Sequence, residues 1–254
     1  MLAETVFFSF AEVIDPRRHR DYNEWHQLDH RPENLALDGI RHGDRWVRTP
    51  ACAQASVVGD PRLAGTHYVN MYWFRSPVQR SFLEWQALAE RSYQWGRRPE
   101  LEYTSRGMMG LFSTVKSYAS PRVLVSPDAV PFRPARGVLL SLRRFEAHSK
   151  EAHRYFAVYD HDYAPTVLAT TGVVGIWTFS SVSTTIDPSW RPVPGSATFE
   201  PSGRDAGTLR AELVFVDEDP LTVQQALPPH EGGEEIFTSA LLPIHAWHWD
   251  WFDA

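Results

Sequence analysis

A single cysteine, Cys52, stands in the 254 residues. It has no partner for an internal disulfide and lacks the companion thiols of a structural zinc site, which fits a reducing compartment. With no flanking histidine or cation to lower its pKa, Cys52 reads as a bland loop residue. Nowhere do about 18 uncharged apolar residues run together, as a membrane-spanning helix requires. The start, Met1 to Phe10, has no basic leader, and Glu4 interrupts its short apolar run, unlike a secretory signal. The expectation is a cytoplasmic protein with no membrane partner. Long runs of one charge are missing too, so the net charge of -6 supports solubility and gives no sign of a nucleic-acid partner. No glycine-rich phosphate loop, Gly-x-Ser-x-Gly elbow or Cys-x-x-Cys pair occurs, which argues against nucleotide transfer, serine hydrolysis and thiol redox work. Asp160 and Asp162 alternate as in a calcium loop, but the glycine and closing glutamate of that loop are absent.

Aromatic residues are abundant: 10 Trp, 9 Tyr and 14 Phe. Their rings fill cores and also build rigid walls for small molecules, with Tyr and Trp adding a polar tip that can orient a ligand. The partner expected on this ground is a hydrophobic small molecule.

The chain repeats itself. Tyr22, Asp29, Pro32, Leu35, Ala36 and Gly39 recur as Tyr155, Asp162, Pro165, Leu168, Ala169 and Gly172, each pair 133 residues apart. Each copy reads as strand, helix, strand, strand, helix, strand. In the first copy Asp15 is the N-cap and Pro16 the first helical residue, and the helix is expected to stop near His30-Arg31-Pro32, because proline disfavours α geometry in the residue before it. Glycine turns follow at Gly39 and Gly172, and the last strand of the second copy is placed at about residues 235–249. The boundary falls in the stretch from Ser120 to Pro134, and Ile186 to Gly207 reads as a surface insertion. An α+β architecture follows, with residues 1–130 and 131–254 as two ferredoxin-like βαββαβ repeats. Each would leave one apolar sheet face bare, so the two are expected to pack sheet to sheet as an intramolecular α/β barrel. The site is then a cavity between the halves or beneath their first helices. Either a monomer or a homodimer is compatible with this reading.

The string Trp25-His26-Gln27-Leu28-Asp29-His30-Arg31-Pro32, followed by Gly39 and Arg45-Trp46, resembles the Trp-Tyr-Asp/Asn-x-Glu-His-x-Pro pattern of the EthD-like and stress-responsive branches of the dimeric α/β-barrel superfamily. The second copy, Val158 to Pro165, matches more loosely. Membership would imply the barrel fold but not one reaction, since the superfamily includes cofactor-free monooxygenases, polyketide cyclases, lactone isomerases and haem proteins. His26 stands where the pattern has tyrosine, and Tyr163 where it has histidine. One principal site is therefore expected.

On a regular helix His26 and His30 share a face with Tyr22, Trp25 and Asp29. A histidine titrates near neutral pH, and Asp29 beside it could orient an imidazole as a base; a solvated Asp29 and a capping His30 at a helix end are the bland alternative. The two histidines also have metal-ligand spacing, but no third ligand is visible, so no bound metal is expected. Arg45 could hold a carboxylate or enolate oxygen, or pair with Asp29. Trp46 follows it and, with Tyr22 and Trp25, is assigned to substrate binding. Tyr159, Asp162 and Tyr163 take the corresponding second-half positions, where phenols could donate to a substrate oxygen or merely line a wall. His245 and His248 fall on opposite faces of the last expected strand, so one could look into the barrel as a haem ligand. The reading is a cofactor-independent enzyme of cyclase, isomerase, dehydratase or monooxygenase type, acting on an aromatic or polyketide-like molecule through His26 or His30. A non-catalytic binding or stress-protective barrel, or a haem enzyme, is the alternative.

Overall fold

The computed structural model describes residues 3–146, 149–185 and 207–253. The expected insertion lies almost wholly outside the described residues. Among the described residues the chain forms eight strands: β1 (Thr5–Val13), β2 (Ile40–Val47), β3 (Tyr68–Phe74), β4 (Thr104–Ala119), β5 (Gly137–Arg144), β6 (Val173–Thr185), β7 (Leu209–Val216) and β8 (Glu234–Pro243). All pairings are antiparallel, and the order β1-β3-β2-β8-β5-β7-β6-β4 closes on itself. The strands of residues 1–130 lie fourth, first, third, second, and those of residues 131–254 repeat that order. The seams between halves are unequal. β4 and β6 pair from Met109 to Ala119, whereas β2 and β8 share two pairs, Trp46 with Pro243 and Val47 with Leu242.

Alternate residues of a strand point to opposite faces, and here the two faces differ in chemistry. One face of every strand supplies a single buried cluster that includes Phe8, Phe10, Trp46, Trp73, Trp177, Phe179 and Phe237. Trp73 meets Trp177 edge-on at 4.7 Å and Phe8 meets Phe179 at 5.5 Å. Burying each phenylalanine-sized ring stabilises by about 1.5 to 3 kcal/mol. The barrel interior is thus filled with rings, which corrects the expectation of a cavity between the halves. The outer face carries polar residues among the apolar ones, and the helices cover it.

The first helix does not stop at Pro32. It runs as α1 (His19–Glu24), a π-helical turn over Trp25–His30, and α2 (Arg31–Leu35). A proline lacks the N–H and crowds the carbonyl one turn earlier, and the widened i→i+5 turn just before it removes that conflict. The same device recurs after α5 (Lys150–Val158), with a π turn over Tyr159–Tyr163 and Pro165 in α6 (Ala164–Ala169). Asp15 caps a short 3-10 turn, Pro16–Arg18, ahead of the helix, accepting from the Arg17 amide. Of the two turn glycines, Gly172 has φ +88°, whereas Gly39 allows close approach, since a Cβ there would lie 2.7 Å from Ser81 Cα.

Three further α-helices lie among the described residues: α3 (Pro50–Ala55), α4 (Val78–Gln94) and α7 (Pro220–Ala226). Cys52 is buried within α3, not placed in a loop. The last strand ends at Pro243, and the tail beyond it folds over the first half, where Ile244, Trp249, Trp251 and Phe252 pack with Tyr22, Trp25 and Tyr68. His245 and His248 are accordingly exposed tail residues outside any strand, and neither looks into the barrel.

Candidate functional site under the first helix

Sheet register builds the floor of the site. Ser9 of β1 lies opposite Asn70 of β3, and Asn70 lies opposite Arg45 of β2, so three polar side chains form one row across three strands. The row sits on the helix-covered face, because Trp46, the next residue after Arg45, belongs to the barrel interior. Trp46 therefore backs the sheet and does not share a surface with Arg45. That differs from its expected place in the substrate wall.

Arg45 is 1% exposed, yet among the described residues it forms no salt bridge. Its partners are neutral: Nη2 donates to Asn23 Oδ1 at 3.0 Å, Nε to Asn70 Oδ1 at 3.3 Å, and Nη1 to Gln27 Oε1 at 3.4 Å. The guanidinium also lies 5.3 Å from the Tyr22 ring and 5.6 Å from the Tyr68 ring. Asn23 Nδ2 in turn donates to the Tyr68 hydroxyl at 2.8 Å, and that hydroxyl meets His19 Nδ1 at 2.9 Å. Burying an ionised group without a counter-charge is costly, and the cost here depresses the Arg45 pKa. Around this cation, Ser9 Oγ, His26 Nδ1 and the Tyr72 hydroxyl are buried without hydrogen-bond partners. Buried polar atoms are ordinarily satisfied, so three orphans beside an uncompensated cation mark a place prepared for polar atoms from outside the chain.

The π turn sets the upper wall. His26 is buried, its ring 5.7 Å from Tyr22 and 5.1 Å from His30, while Trp25 stacks on His30 at 4.7 Å and anchors its own Nε1 on the Arg97 carbonyl at 3.0 Å. Burial first, then Arg45, His30 and Arg106, push the His26 pKa well below the ordinary histidine value. For half-buried His30 the causes are burial, then Arg98, Arg106 and Arg45. Both imidazoles are neutral at pH 7. Neutral imidazole beside a cation resembles an electrophilic or hydrogen-bonding group more than a strong free base.

Of the expected residues, Tyr22, Trp25, His26, His30 and Arg45 come together. Asp29 does not: it is exposed and, among the described residues, makes no hydrogen bond to His30 and no ion pair with Arg45. In the second half Tyr159 is buried and Tyr163 half-buried, whereas Asp162 is exposed and pairs with exposed His161 at 2.6 Å. Among the described residues no three His, Cys, Asp or Glu side chains are arranged to hold a metal ion. Ser9, Asn70 and Tyr72 escape sequence reading because cross-strand register places them, and Asn23 of α1 because its partners, Arg45 and Tyr68, lie on the strands beneath the helix. The one available signal was an asparagine at position 70 within an otherwise apolar strand.

The cluster is closed in this conformation. A surface cleft of about 230 Å³ adjoins it, lined by Arg20 of α1 and by Trp247, His248, Trp249, Asp250 and Asp253 of the tail. A larger cleft of about 370 Å³, lined by residues such as Ser120, Arg122, Gly172 and Asp217, contains none of the residues above.

No protein-family model matches the chain, and no curated protein matches it in sequence. Solved structures match over nearly its whole length. An anthrone oxidase-like protein superposes with a TM-score of 0.51 at 8% identity, covering 96% of this chain and 92% of its own. A protein described as a candidate monooxygenase from Fusobacterium nucleatum subsp. nucleatum superposes with a TM-score of 0.55 at 6% identity, covering 96% and 94%. At these identities the likeness shows a shared α+β fold of ferredoxin-like type. No helix among the described residues is long and apolar enough to cross a membrane.

Proposed function

We propose that this chain is a cofactor-independent enzyme that performs proton-transfer chemistry on an enolisable aromatic or polyketide-like molecule at the Arg45 site, with oxygenation as the favoured outcome. The observation that carries the proposal is the buried Arg45 guanidinium, which has only neutral hydrogen-bond partners and lies near enough to the buried, unpartnered His26 to lower its basicity. The ring-rich walls suit an aromatic body, and the names of the two structural neighbours favour an oxygenase among the reaction types. The resemblance of Trp25 to Pro32 to the EthD-like pattern points to the same helix.

The geometry couples charge and proton. Removing a proton from carbon next to a carbonyl or phenol leaves an enolate or phenolate oxygen, and Arg45 would hold that oxygen in a low-dielectric site. Arg45 is also what lowers the basicity of His26, after burial itself. An oxyanion forming on Arg45 offsets its charge, so His26 becomes a better proton acceptor as the negative charge develops. With dioxygen as co-substrate, an activated CH2 becomes C=O and one water leaves, a balance that requires no bound cofactor. In this reading His30, half-buried and stacked on Trp25, receives the proton from His26 or the substrate.

We read residues 1–130 and 131–254 as tandem copies of one unit, of which the first kept the cationic row. The resulting test is turnover and dioxygen uptake with anthrone and related enolisable phenols. His26→Asn should lower turnover by roughly 10² to 10⁴, the usual range for a general acid–base group, with binding largely kept. Binding of these compounds without turnover by the wild type would move the assignment to a binding protein. Undiminished turnover in His26→Asn would remove His26 from the chemistry.

A further inference from the structure

The second half carries a polar row at the same place in its sheet. Ser141 of β5 lies opposite Glu212 of β7, and Glu212 lies opposite Thr178 of β6, repeating Ser9, Asn70 and Arg45 with different chemistry. Where the first row holds a buried cation, the second holds a buried carboxyl. The π turn above it supplies Tyr159 and Tyr163, and α5 supplies Tyr155.

Something already sits among those rings. His230, from the connection between α7 and β8, stacks on Tyr163 at 4.0 Å and 15°, with Tyr155 at 5.0 Å and Tyr159 at 5.3 Å. Its Nδ1 lies 3.4 Å from the Tyr155 hydroxyl and 3.9 Å from Glu212 Oε2. Yet the seat is imperfectly filled. Glu212 Oε2, the Tyr159 hydroxyl and Arg143 Nε are all buried without a well-formed hydrogen bond, although the Tyr159 hydroxyl and the Glu212 carboxyl lie close enough to interact with each other. The carboxyl is raised to about 7 by burial, and the His230 imidazole is lowered to about 4, first by burial and then by Arg143. Neither is therefore locked into an ion pair with the other at neutral pH.

The hold on His230 is by exchangeable polar contacts. Arg143 donates to the carbonyls of Gly232 at 2.8 Å and His230 at 2.7 Å, Tyr163 donates to the Pro228 carbonyl at 3.3 Å, and the Gly233 amide donates to Glu151 at 2.7 Å. Gly232 and Gly233, with φ of +103° and +65°, come after His230 and Glu231 and give the connection a pivot that other residues would resist. The corresponding connection of the first half brings Arg98 over Trp25, so the same segment closes the site in both halves.

We infer that the Tyr155–Tyr159–Tyr163–Glu212 cluster is a second binding site, for a planar nitrogen heterocycle that donates an N–H to Glu212, and that His230 is its displaceable internal occupant. Three tyrosine rings supply the stacking surfaces and Glu212 the acceptor, which His230 at 3.9 Å does not properly satisfy. The site is separate from the Arg45 site and does not depend on the function proposed there.

Benzimidazole is the probe, with indene as a control of the same shape that lacks the N–H donor. Calorimetry should show benzimidazole binding at least tenfold tighter than indene in the wild type, and hydrogen exchange of residues 228–233 should speed up on binding as His230 leaves its seat. His230→Ala should tighten benzimidazole about tenfold further, and Glu212→Leu should erase the preference over indene. Arg45→Met should change none of these values. Equal binding of the two compounds, no wild-type binding, or binding without faster exchange at 228–233 would each overturn the inference; the wild-type measurements decide it even if a variant fails to fold.

Discussion

Arg45 Nη2 donates to Asn23 Oδ1 at 3.0 Å, and this bond between a strand arginine and a helix amide joins the sheet to the first helix through a charge with no counter-ion among the described residues. A residue arranged only for stability would not be built this way. Replacing a whole buried ion pair with apolar side chains is often neutral or stabilising by about 1 to 4 kcal/mol, and a buried charge without a counter-ion gives up no ion-pair attraction when it is replaced. Arg45→Met should therefore keep or raise the melting temperature while it weakens binding of anionic aromatic ligands about tenfold to a hundredfold. Thermal melts and titration with a phenolate probe check both halves of the statement. A large loss of stability would show that Asn23, Gln27 and Asn70 already satisfy the guanidinium and that no ligand oxygen is needed.

Acid should destabilise the fold, and the sign can be worked out. His19, His42 and His230 are lowered to about 4, chiefly by burial, and His26 and His30 are also held well below 6.5. The unfolded chain takes up these protons as pH falls through 6.5 while the folded chain refuses them, so stability is lost below about 6.5 and continues to fall towards 4. Glu212 acts in the opposite sense, because its folded value of about 7 exceeds the unfolded 4.5 and it favours the folded state as pH drops through that window. Each withheld proton contributes up to about 1.4 kcal/mol per pH unit, and these five histidines, joined by His67, which burial also lowers, outweigh Glu212 and Asp44, which burial raises. The melting temperature should fall on the order of 10 °C between pH 6.5 and 5. A flat profile would mean that these histidines titrate normally.

The local half of this architecture was open to sequence reading, and the non-local half was not. Tyr22 and His26 stand out from the repeat around Pro32 and Pro165, since helical spacing and a proline are properties of neighbouring residues, and Arg45 stands out from the resemblance of Trp25 to Trp46 to the EthD-like pattern. Ser9, Asn70 and Glu212 escape such a reading because their importance comes from the residues opposite them in register, Asn70 lying opposite Ser9 and Arg45 and Glu212 opposite Ser141 and Thr178, and strand pairing between distant segments leaves no mark on either one. The π turn explains the remaining errors. Regular α spacing puts Asp29 on the face of Trp25 and His26, four and three residues before it, but the widened turn over Trp25–His30 changes the phase, and Asp29 ends in solvent. Trp46 was misplaced for a simpler reason: adjacent strand residues face opposite ways, so Arg45 and Trp46 could never have shared one wall.

The C-terminal tail should govern access to the Arg45 site. Phe252 stacks on His19 at 4.0 Å and 17°, His19 Nδ1 meets the Tyr68 hydroxyl at 2.9 Å, and Tyr68 and Arg45 both bind Asn23, so a continuous set of contacts runs from the tail to the guanidinium. The tail enters from β8 just beyond the short two-pair seam with β2, where little strand pairing resists its movement. Deleting it altogether would strip Ile244 and Trp249 from the fold, at about 1.5 to 3 kcal/mol each, a large share of the 5 to 15 kcal/mol that holds a typical domain. Phe252→Ala is the milder test. It removes the stacking ring and leaves the rest of the tail docked, so association and dissociation of an aromatic anion should both speed up severalfold in stopped-flow traces, with little change in Kd. The His19 pKa, held at about 4 first by burial and then by His67, should rise towards 6.5 as its ring gains solvent, which an NMR titration reads directly. Unchanged association kinetics with a raised His19 pKa would show that the tail covers His19 without gating the site, and ligand entry would then have to be sought at the half-buried His30 rim.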